Sequence, residues 1–265
     1  MGVLNTTPDS FSDGGTLYTG DRLNLNLTLQ RARQMVAEGA TILDVGGEST
    51  RPGAVPVGVQ QEQDRVFPVV EAIAAELDVT ISVDTSTPEV MTGGVALGAS
   101  VINDVRALQR RGALAAAAAT DATVCLMHMQ GEPHSMQQSP VYADVVDDVV
   151  EFLQQRATAC MEAGISAERL WLDPGFGFGK TVTHNLKLLD NLPTLSGLGF
   201  PVLVGLSRKS LIGKLLDREV DERLPASLAL AVLAVERGAT IVRTHDVRAT
   251  ADALAMVAAL EQLDT

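Results

Sequence analysis

The stretch EGATILDVGGESTRPG, residues 38–53, contains the unit from which the fold can be worked out. Gly39 precedes the apolar run TILDV, and a loop rich in Gly, Ser and Pro follows that run. A continuous apolar run between turn signals favours a strand that is buried on both faces, and a glycine just before it suits a left-handed helix C-cap. The stretch therefore predicts the end of a helix, a buried strand and a loop at the strand's carboxyl end.

The same order of elements recurs along the whole chain. Eight apolar runs predict strands, namely MGVL (1–4), TILDV (41–45), TISVD (80–84), SVIND (100–104), TVCLM (123–127), LWLD (170–173), PVLVG (201–205) and TIVRT (240–244). Helical periodicity predicts helices over 24–38, 59–77, 88–97, 111–120, 141–163, 184–190, 224–237 and 247–262. Eight such units in about 250 residues are typical of a closed (β/α)₈ barrel, with a doubly wound open sheet as the alternative. Since the chain contains no linker or low-complexity stretch, we predict one domain over residues 1–265.

Glycine and proline positions support these element bounds. Gly98, Gly164 and Gly238 stand just before predicted strands, as Gly39 does, and each suits a helix C-cap. Pro88 stands at a first-turn position, where its missing amide proton is tolerated. These signals place helix ends directly before strands, as a β/α repeat requires.

Composition narrows the class of protein. No apolar run reaches the roughly 18 residues of a membrane span, and the first residues lack the pattern of a secretion signal. Cys125 and Cys160 stand in apolar contexts, so we expect reduced core residues in a cytoplasmic protein. A net charge of −13 argues against a nucleic-acid surface. An anionic ligand would therefore need local cations to hold it against the overall charge.

Polar and charged residues are concentrated where the predicted strands end. In a barrel the carboxyl ends of the strands meet at one rim, which is where active sites form. We therefore expect residues that are distant in sequence to line one pocket. They are Asn5, Thr50, Arg51, Asp84, Asn103, Met127, His128, Asp173, Ser207 to Ser210, Arg243 and His245.

Two carboxylates and an amide end three of the strands. Asp84, Asn103 and Asp173 could each cap the following helix or turn, which is a common role for these residue types. Three of them at one rim instead favour a flat heterocycle with several N–H donors, such as a pterin. In that interpretation Asp173 accepts the 2-amino and N3–H donors together.

Four cations near the rim favour an anion site. Arg243 and His245 are two residues apart and share a strand face, and Lys209 follows the seventh strand at a predicted helix start. Phosphate groups often bind after strands 7 and 8 of a barrel. Arg51 adds a fourth cation, whereas Arg208 is expected to be structural. The alternative is that these side chains are solvated surface charges.

The run LDPGFGFGKT, residues 172–181, superficially resembles a nucleotide-binding phosphate loop. Only three residues separate Gly175 from Gly179, and the phosphate loop needs four. We interpret Asp173 as a pterin acceptor and the Gly-Phe pairs as a lid with a wall at Phe178. Lys180 is expected to be structural or exposed to solvent.

Two loops rich in Gly, Ser, Pro and Thr follow the first two strands, over residues 5–17 and 46–58. Phe11 is an apolar residue in the first of them, and both loops are predicted to close over the pocket; plain surface loops are the alternative. No spacing of His, Cys and Asp resembles a zinc site. Asn5 suits a magnesium ligand only if a pyrophosphate supplies most of the other oxygens.

Taken in order, eight motifs resemble those of the dihydropteroate synthase family. They are MGVLNTTPDSFSDGG, ILDVGGESTRPGA, SVDTSTPEVM, INDV, LMHMQGEP, LDPGFGFGKT, GLSRKSLIG and VRTHDV. The resemblance runs from Met1 to the final helix at family spacing, and it departs at Thr6, where the family more often has Val. It implies a (β/α)₈ enzyme of folate biosynthesis that joins 6-hydroxymethyl-7,8-dihydropterin pyrophosphate to 4-aminobenzoate and releases pyrophosphate, with Mg²⁺ assisting.

The resemblance also assigns residues to each substrate. The pterin would contact Asp84, Asn103, Met127, Asp173 and Lys209. The pyrophosphate would contact Asn5, Thr50, Arg243 and His245, with Asn5 as the metal ligand. The 4-aminobenzoate would contact Phe11, Thr50, Arg51, Pro52, Phe178, Ser207 and Ser210. Catalysis would depend on Asp84, Lys209, Arg243 and His245.

The implied mechanism begins with loss of pyrophosphate to give a pterin cation, which the aromatic amine then attacks. The resemblance further implies inhibition by sulfonamides and a homodimer. Two rival functions remain at this stage, a pterin-dependent methyl-transfer domain and a pterin-binding protein without activity. Arg51 and Lys209 argue against the methyl-transfer domain, which needs no pyrophosphate site.

Overall fold

Among the described residues, eight parallel strands surround a common axis. In this computed structural model the described residues are 1–7, 18–19, 22–49, 57–131, 136 and 140–263. The strands are β1 (Gly2–Asn5), β2 (Ile42–Gly46), β3 (Thr80–Asp84), β4 (Val101–Asp104), β5 (Thr123–Met127), β6 (Leu170–Asp173), β7 (Leu203–Val204) and β8 (Ile241–Val242). A short antiparallel hairpin also pairs Tyr18–Thr19 with Arg22–Leu23.

Hydrogen bonds close the strands into a barrel. Strands β1 to β6 form one sheet in chain order, and β7 pairs with β8. At one seam Leu172 of β6 bridges to Val202, and at the other Gly2 of β1 bridges to Thr244. The backbone amide of Val3 donates to the Thr244 carbonyl oxygen at 3.1 Å across this second seam. The closed (β/α)₈ barrel is therefore correct, and the open sheet is excluded.

Helices alternate with the strands. They are α1 (Leu25–Ala37), α2 (Val59–Glu76), α3 (Pro88–Ala96), α4 (Ala113–Ala118), α5 (Val145–Glu162), α6 (Val182–Asp190), α7 (Leu192–Ser196), α8 (Ser210–Leu216), α9 (Leu224–Glu236) and α10 (Val247–Glu261). The predicted C-cap glycines at 39, 98, 164 and 238 all have φ between 95° and 117°, which confirms their role. Pro88 begins α3, as predicted.

Several predicted bounds change for identifiable reasons. The helix predicted over 111–120 starts only at Ala113, because Gly112 before it has a φ of 87°. The helix predicted over 141–163 starts at Val145, where the Asp144 side chain accepts hydrogen bonds from two helix amides. The sequence pattern also extends strands β7 and β8 beyond their two paired residues each.

The strands divide the interior into two layers. Val83 faces outward, because a side chain added at Gly94 of α3 would come within 2.8 Å of it. Asp44 and Ser82 are paired in register on β2 and β3 and are fully buried. Apolar side chains thus fill the space between barrel and helices, while polar groups occupy the barrel interior below the rim.

Both cysteines fit the sequence-based expectation of core residues. Cys125 and Cys160 are free and buried, and burial raises the pKa of both thiols. Within the part of the chain that the structure describes, no helix has the length and apolar character needed to cross a membrane.

Candidate active site

Arg243, just after β8, bonds to carboxylates on two other strands, and one of these carboxylates bonds to a third strand. Its Nε donates to Asp44 Oδ2 at 2.6 Å, and its Nη2 donates to Asp84 Oδ2 at 2.9 Å. Asn103 of β4 donates through Nδ2 to the same Asp44 oxygen at 3.1 Å. These four residues, which we call the Arg243 cluster, bring predicted site residues from opposite ends of the chain together.

Asp44 was not among the predicted site residues. It stands inside the apolar run TILDV and is fully buried. Its Oδ1 and the Oγ of Ser82 have no hydrogen-bond partner among the described residues, so the cluster retains acceptor capacity. The available signal was a carboxylate within a strand buried on both faces, since acids are almost never fully buried unless they are paired.

The charges within the Arg243 cluster influence one another strongly. Burial and the neighbouring Asp44 carboxylate raise the pKa of Asp84 to about 8, although Arg243 acts in the opposite sense. Burial alone would lower the pKa of Arg243, but the carboxylates of Asp44 and Asp84 outweigh it and raise that pKa. One guanidinium thus serves two acids, and beside the buried Asp44 carboxylate the charged form of Asp84 is disfavoured.

A second group of residues lies on the β5, β6 and β7 side of the rim. Asp173 is 6% exposed and is paired in register with the buried Met127. Its Oδ1 accepts a hydrogen bond from the Gly175 amide at 2.7 Å. Lys209 precedes α8, and its Nζ lies 4.4 Å from the centroid of the Phe178 ring. These contacts make one wall of the rim.

The electrostatic effects connect this wall with the Arg243 cluster. Burial raises the pKa of Asp173 to about 6, although the hydrogen bond from Gly175 and the charge of Lys209 act to lower it. Burial lowers the pKa of Lys209 to about 8, and Asp173, Arg243 and Asp84 all contribute to its value. The predicted convergence of these strand ends on one rim is therefore present in the structure.

His245 differs from its predicted state. Its Nδ1 lies 3.1 Å from Ser207 Oγ, whose oxygen also accepts from the His245 amide at 3.2 Å. Burial lowers the pKa of His245 to about 3, and the nearby charges of Arg243 and Arg208 add to this. The expectation of a cationic His245 was wrong for the unliganded protein, because it is buried beside existing cations. Arg208 is structural as expected and is paired with Asp246 at 2.9 Å.

The segment after Asp84 is fixed by a separate buried acid. The hydroxyls of Thr85 and Thr87 donate to the two Glu62 oxygens at 2.5 and 2.6 Å. Glu62 is only 1% exposed and belongs to α2. It therefore holds the turn that presents Asp84 without itself facing the barrel interior.

A cavity of about 350 Å³ lies at the carboxyl ends of β4 and β5. Met127 and Val105 line it at the strand ends, and Arg106, Glu48 and Phe152 line it further out. Among the described residues, Met127 is the one predicted pterin-site residue that lines this cavity, and Asp173, Lys209 and the Arg243 cluster are not part of its lining.

The comparisons with known proteins agree with this geometry. The sequence profile of the family described as pterin binding enzyme matches residues 1–245. The dihydropteroate synthase of Escherichia coli is 52% identical over 259 residues, which are 98% of this chain and 90% of the relative. The chain belongs to the dihydropteroate synthase family.

Two solved dihydropteroate synthases show the same likeness in three dimensions. The Yersinia pestis synthase, in complex with a sulfonamide drug, has a TM-score of 0.95 at 51% identity, covering 99% of this chain and 94% of its own. The Xanthomonas albilineans synthase, with 4-aminobenzoic acid, has a TM-score of 0.90 at 48% identity, covering 98% and 92%. Family members are transferases, and this chain is one of them.

For the remaining predicted site residues, the structure gives either a position on an element or no description. Asn5 is the half-buried last residue of β1, and Ser210 is the exposed first residue of α8. Phe11, Thr50, Arg51 and Pro52 lie outside the described residues, so their placement stays a prediction. Among the residues that are described, no three His, Cys, Asp or Glu side chains form a group able to hold a metal ion.

The GFGFGK segment is not the predicted lid. Phe176 is 1% exposed and belongs to the core, and Lys180 is 2% exposed. Of the two expectations for Lys180, the structural role is therefore correct and exposure to solvent is not. Phe178 is half-buried under Lys209, which suits a wall of the site. The sequence pattern concealed this difference because both phenylalanines stand between glycines.

Proposed function

We propose that the rim described above is where this transferase of folate biosynthesis joins 6-hydroxymethyl-7,8-dihydropterin pyrophosphate to 4-aminobenzoate. The observation that carries the proposal is the meeting of the Arg243 cluster with Asp173 and Lys209 at one rim. It is supported by a chain that is 52% identical to a dihydropteroate synthase over almost its full length. The products are 7,8-dihydropteroate and pyrophosphate.

The pterin ring is proposed to lie between Asn103, Asp173 and Lys209, with Met127 as an apolar wall. Asn103 gives its Nδ2 to Asp44, so its amide oxygen remains to accept a hydrogen bond from the ring. Asp173 accepts one backbone amide and keeps acceptor capacity for the 2-amino and N3–H donors. The hydrogen bonds below the rim thus leave the Asn103 amide oxygen and the Asp173 carboxylate as acceptors for the ring.

The diphosphate is proposed to lie near Asn5, Thr50, Arg243 and His245. Arg243 uses its Nε and Nη2 on carboxylates, and the guanidinium carries further N–H donors. The neutral His245 can donate one ring N–H, and an arriving dianion would raise its pKa and favour the imidazolium. Local donors therefore offset the net charge of −13, which otherwise repels an anion.

Magnesium fits this site as an ion that the diphosphate brings with it. Mg²⁺ is usually held by one or two protein oxygens together with phosphates and water, and Asn5 offers one amide oxygen at the end of β1. When bound, the ion neutralises charge that develops on the leaving oxygens.

The reaction is proposed to begin with cleavage of the bond between the exocyclic methylene carbon and the diphosphate oxygen. The electron-rich dihydropterin carries the resulting positive charge, and the carboxylate of Asp84 stabilises it. A cation beside Asp84 would lower its pKa from about 8, so the stabilising ionised form becomes more favourable as the charge appears. The amine nitrogen of 4-aminobenzoate then attacks the methylene carbon and loses a proton.

The 4-aminobenzoate is proposed to lie against Phe178, near Ser207 and Ser210. The carried-over residues Phe11, Thr50, Arg51 and Pro52 complete this subsite as predictions from the sequence. Sulfonamides resemble 4-aminobenzoate, so they are expected to compete for the same place. The sulfonamide complex of the Yersinia pestis relative supports this expectation.

A homodimer in the cytoplasm is part of the same proposal. Met256 and Leu260 of α10 are 67% and 63% exposed. They are four residues apart and so share one helix face. An exposed apolar face of this kind supports association with a second copy of the chain.

Pyrophosphate release measured with and without 4-aminobenzoate tests the proposed function. We expect release that depends on the dihydropterin pyrophosphate, yields dihydropteroate when 4-aminobenzoate is present, and falls when a sulfonamide competes. A pterin-dependent methyl-transfer domain or an inactive pterin-binding protein would produce no pyrophosphate above background. Either result would contradict the proposed reaction.

A further inference from the structure

Lys180 is a buried lysine next to the site that the proposed mechanism does not use. Its Nζ lies 2.9 Å from His128 Nδ1, 2.9 Å from the Gly175 carbonyl oxygen and 3.0 Å from the Phe178 carbonyl oxygen. The carbonyl oxygen of His128 is slightly farther, at 3.3 Å. An ammonium group has three protons, and the three nearer acceptors match them.

The hydrogen bonds also define the state of His128. An ammonium group can only donate, so beside a charged Lys180 the His128 Nδ1 is the acceptor and the ring is neutral. Burial and the charge of Lys180 lower the pKa of His128 to about 3, which agrees with this assignment. Every partner of Lys180 is thus an uncharged acceptor.

The segment held by Lys180 is tied down at further points. The amide of Gly177 donates to Asn185 Oδ1 at 2.7 Å, and the Tyr142 hydroxyl donates to the Gly179 carbonyl at 2.7 Å. A Cβ atom at Gly175 would lie 1.9 Å from the His128 carbonyl oxygen, where no side chain fits. The segment after β6 therefore lies directly on the backbone that follows β5.

Two side chains of the proposed site depend on this segment. The Gly175 amide donates to Asp173, and the Gly175 carbonyl accepts from Lys180. The Phe178 ring lies under Lys209, and the Phe178 carbonyl accepts from Lys180. One ammonium group thus fixes the loop backbone that bonds to the Asp173 side chain and that carries the Phe178 ring.

We propose that Lys180 is a positioning residue for the condensation, which orients Asp173 and Phe178 through the carbonyl oxygens of Gly175 and Phe178 and supplies a buried positive charge near Asp173. The inference rests on the proposed function of Asp173 and Phe178. Lys180 acts through the loop and contacts neither substrate.

The charge of Lys180 provides a readout that a purely structural role would not affect. Burial raises the pKa of Asp173 to about 6, while the Gly175 amide and the charges of Lys209, Lys180 and Arg243 hold it down. The thiol of Cys125, on β5, is the other titratable group that Asp173 influences, and burial keeps it neutral. Burial lowers the pKa of Lys180 itself to about 7, so the ammonium is still charged near pH 6, where Asp173 titrates. Removal of that charge therefore raises the pKa of Asp173 further.

The test compares Lys180→Met with Lys187→Met, which removes an exposed lysine of α6. Binding of 6-hydroxymethylpterin, an unreactive probe, is measured by calorimetry between about pH 5 and pH 8, together with kcat and KM for both substrates. We expect Lys180→Met to weaken pterin binding about tenfold or more and to raise the pH midpoint below which binding is lost. Lys187→Met should behave like the wild type.

A folded Lys180→Met with wild-type affinity and an unchanged pH midpoint would overturn the inference, as would weaker binding with no shift in that midpoint. If Lys180→Met does not fold, as judged by circular dichroism, Lys180→Gln keeps hydrogen-bond donors but no charge and is judged on the pH midpoint alone. A wild-type protein that binds no pterin and releases no pyrophosphate contradicts the proposed function. A wild-type protein that does both, with unaltered Lys180 variants, contradicts only the positioning role.

Discussion

The rim of the barrel has two buried cations whose surroundings differ in kind. Arg243 lies between the two carboxyl groups of Asp44 and Asp84, and Asp44 Oδ1 has no partner among the described residues. Lys180 lies among neutral acceptors, which match its three protons. The first group has hydrogen-bonding capacity left for a ligand, whereas the second uses its capacity within the protein.

This difference distinguishes residues that would contact a ligand from residues that hold the site in position. Buried polar groups in folded proteins are normally satisfied, so an incomplete set usually has another role. The Arg243 cluster, with Asp173 and Lys209 beside it, is where the substrate's donors and charges would complete the network. The group around Lys180 fixes the position of that wall. The predictions below test this division, beginning with the largest expected effect.

Replacement of Arg243 by Met should cause the largest loss. It leaves the buried Asp44 and Asp84 without their shared cation, and removal of one partner of a buried pair costs about 3–5 kcal/mol. We expect unfolding in urea to show a loss of that order at about pH 9, with a smaller loss near pH 7, because Asp84, with a pKa of about 8, has taken up a proton there. Turnover should fall below detection.

The matched control is Arg237→Met, which breaks the exposed pair with Asp190 at 3.6 Å. Surface pairs of this kind contribute about 0–1 kcal/mol, so stability and turnover should change little. Equal stability losses in the two variants would contradict the description of the Arg243 cluster.

Replacement of Asp173 by Asn should separate binding from stability. Loss of a charged hydrogen-bond acceptor costs about 1.5–3 kcal/mol, so pterin affinity measured by calorimetry should fall at least about tenfold. Wild-type binding itself should weaken as the pH falls through about 6, where Asp173 takes up a proton.

Stability should change in the opposite direction. The folded-state pKa of Asp173, about 6, lies above its ordinary value of 3.8, so the folded state binds this proton more tightly. The contribution of Asp173 to wild-type stability is therefore complete below about pH 4 and is lost as the pH rises to about 6. Asp173→Asn should unfold at a higher temperature than the wild type at pH 7, with no advantage at pH 4. A variant that is less stable at pH 7 would show that Asp173 is a structural residue.

The smallest effect is expected from Phe178→Leu, with Phe176→Leu as its control. Loss of an aromatic wall against the 4-aminobenzoate ring is worth about 0.5–1.5 kcal/mol, so the KM for 4-aminobenzoate should rise a few-fold to about tenfold. Loss of the contact between Lys209 and the Phe178 ring should lower stability by no more than about 0.5–2 kcal/mol. Phe176 is 1% exposed, so its substitution should lower stability with little effect on KM. If Phe176→Leu raises the KM and Phe178→Leu lowers stability instead, Phe178 is not the wall of the site.

The sequence predicts the barrel well because its signals are local. Each strand is a continuous apolar run, and the four C-cap glycines mark helix ends that the structure reproduces. The short helix α7 was missed, since five residues are too few for a periodic pattern. For α8 only the start after Lys209 was predicted, and the structure confirms it.

The site was predictable only where side chains stand at strand ends. Asp84, Asn103 and Asp173 follow that rule, whereas Asp44 is the middle residue of β2 and pairs with an arginine 199 residues away. The neutral state of His245 likewise depends on the cations that the fold brings to it. Such pairings are long-range, so no local pattern could reveal them.

A crystal structure of the protein with a bound unreactive pterin tests the central claim most directly. The account predicts that the ring's 2-amino and N3–H groups donate to Asp173, that another ring donor reaches the amide oxygen of Asn103, and that Lys209 lies within hydrogen-bonding distance of the ring. A pterin bound away from the carboxyl ends of the strands, or one that leaves Asp173 and Asn103 untouched, would contradict it.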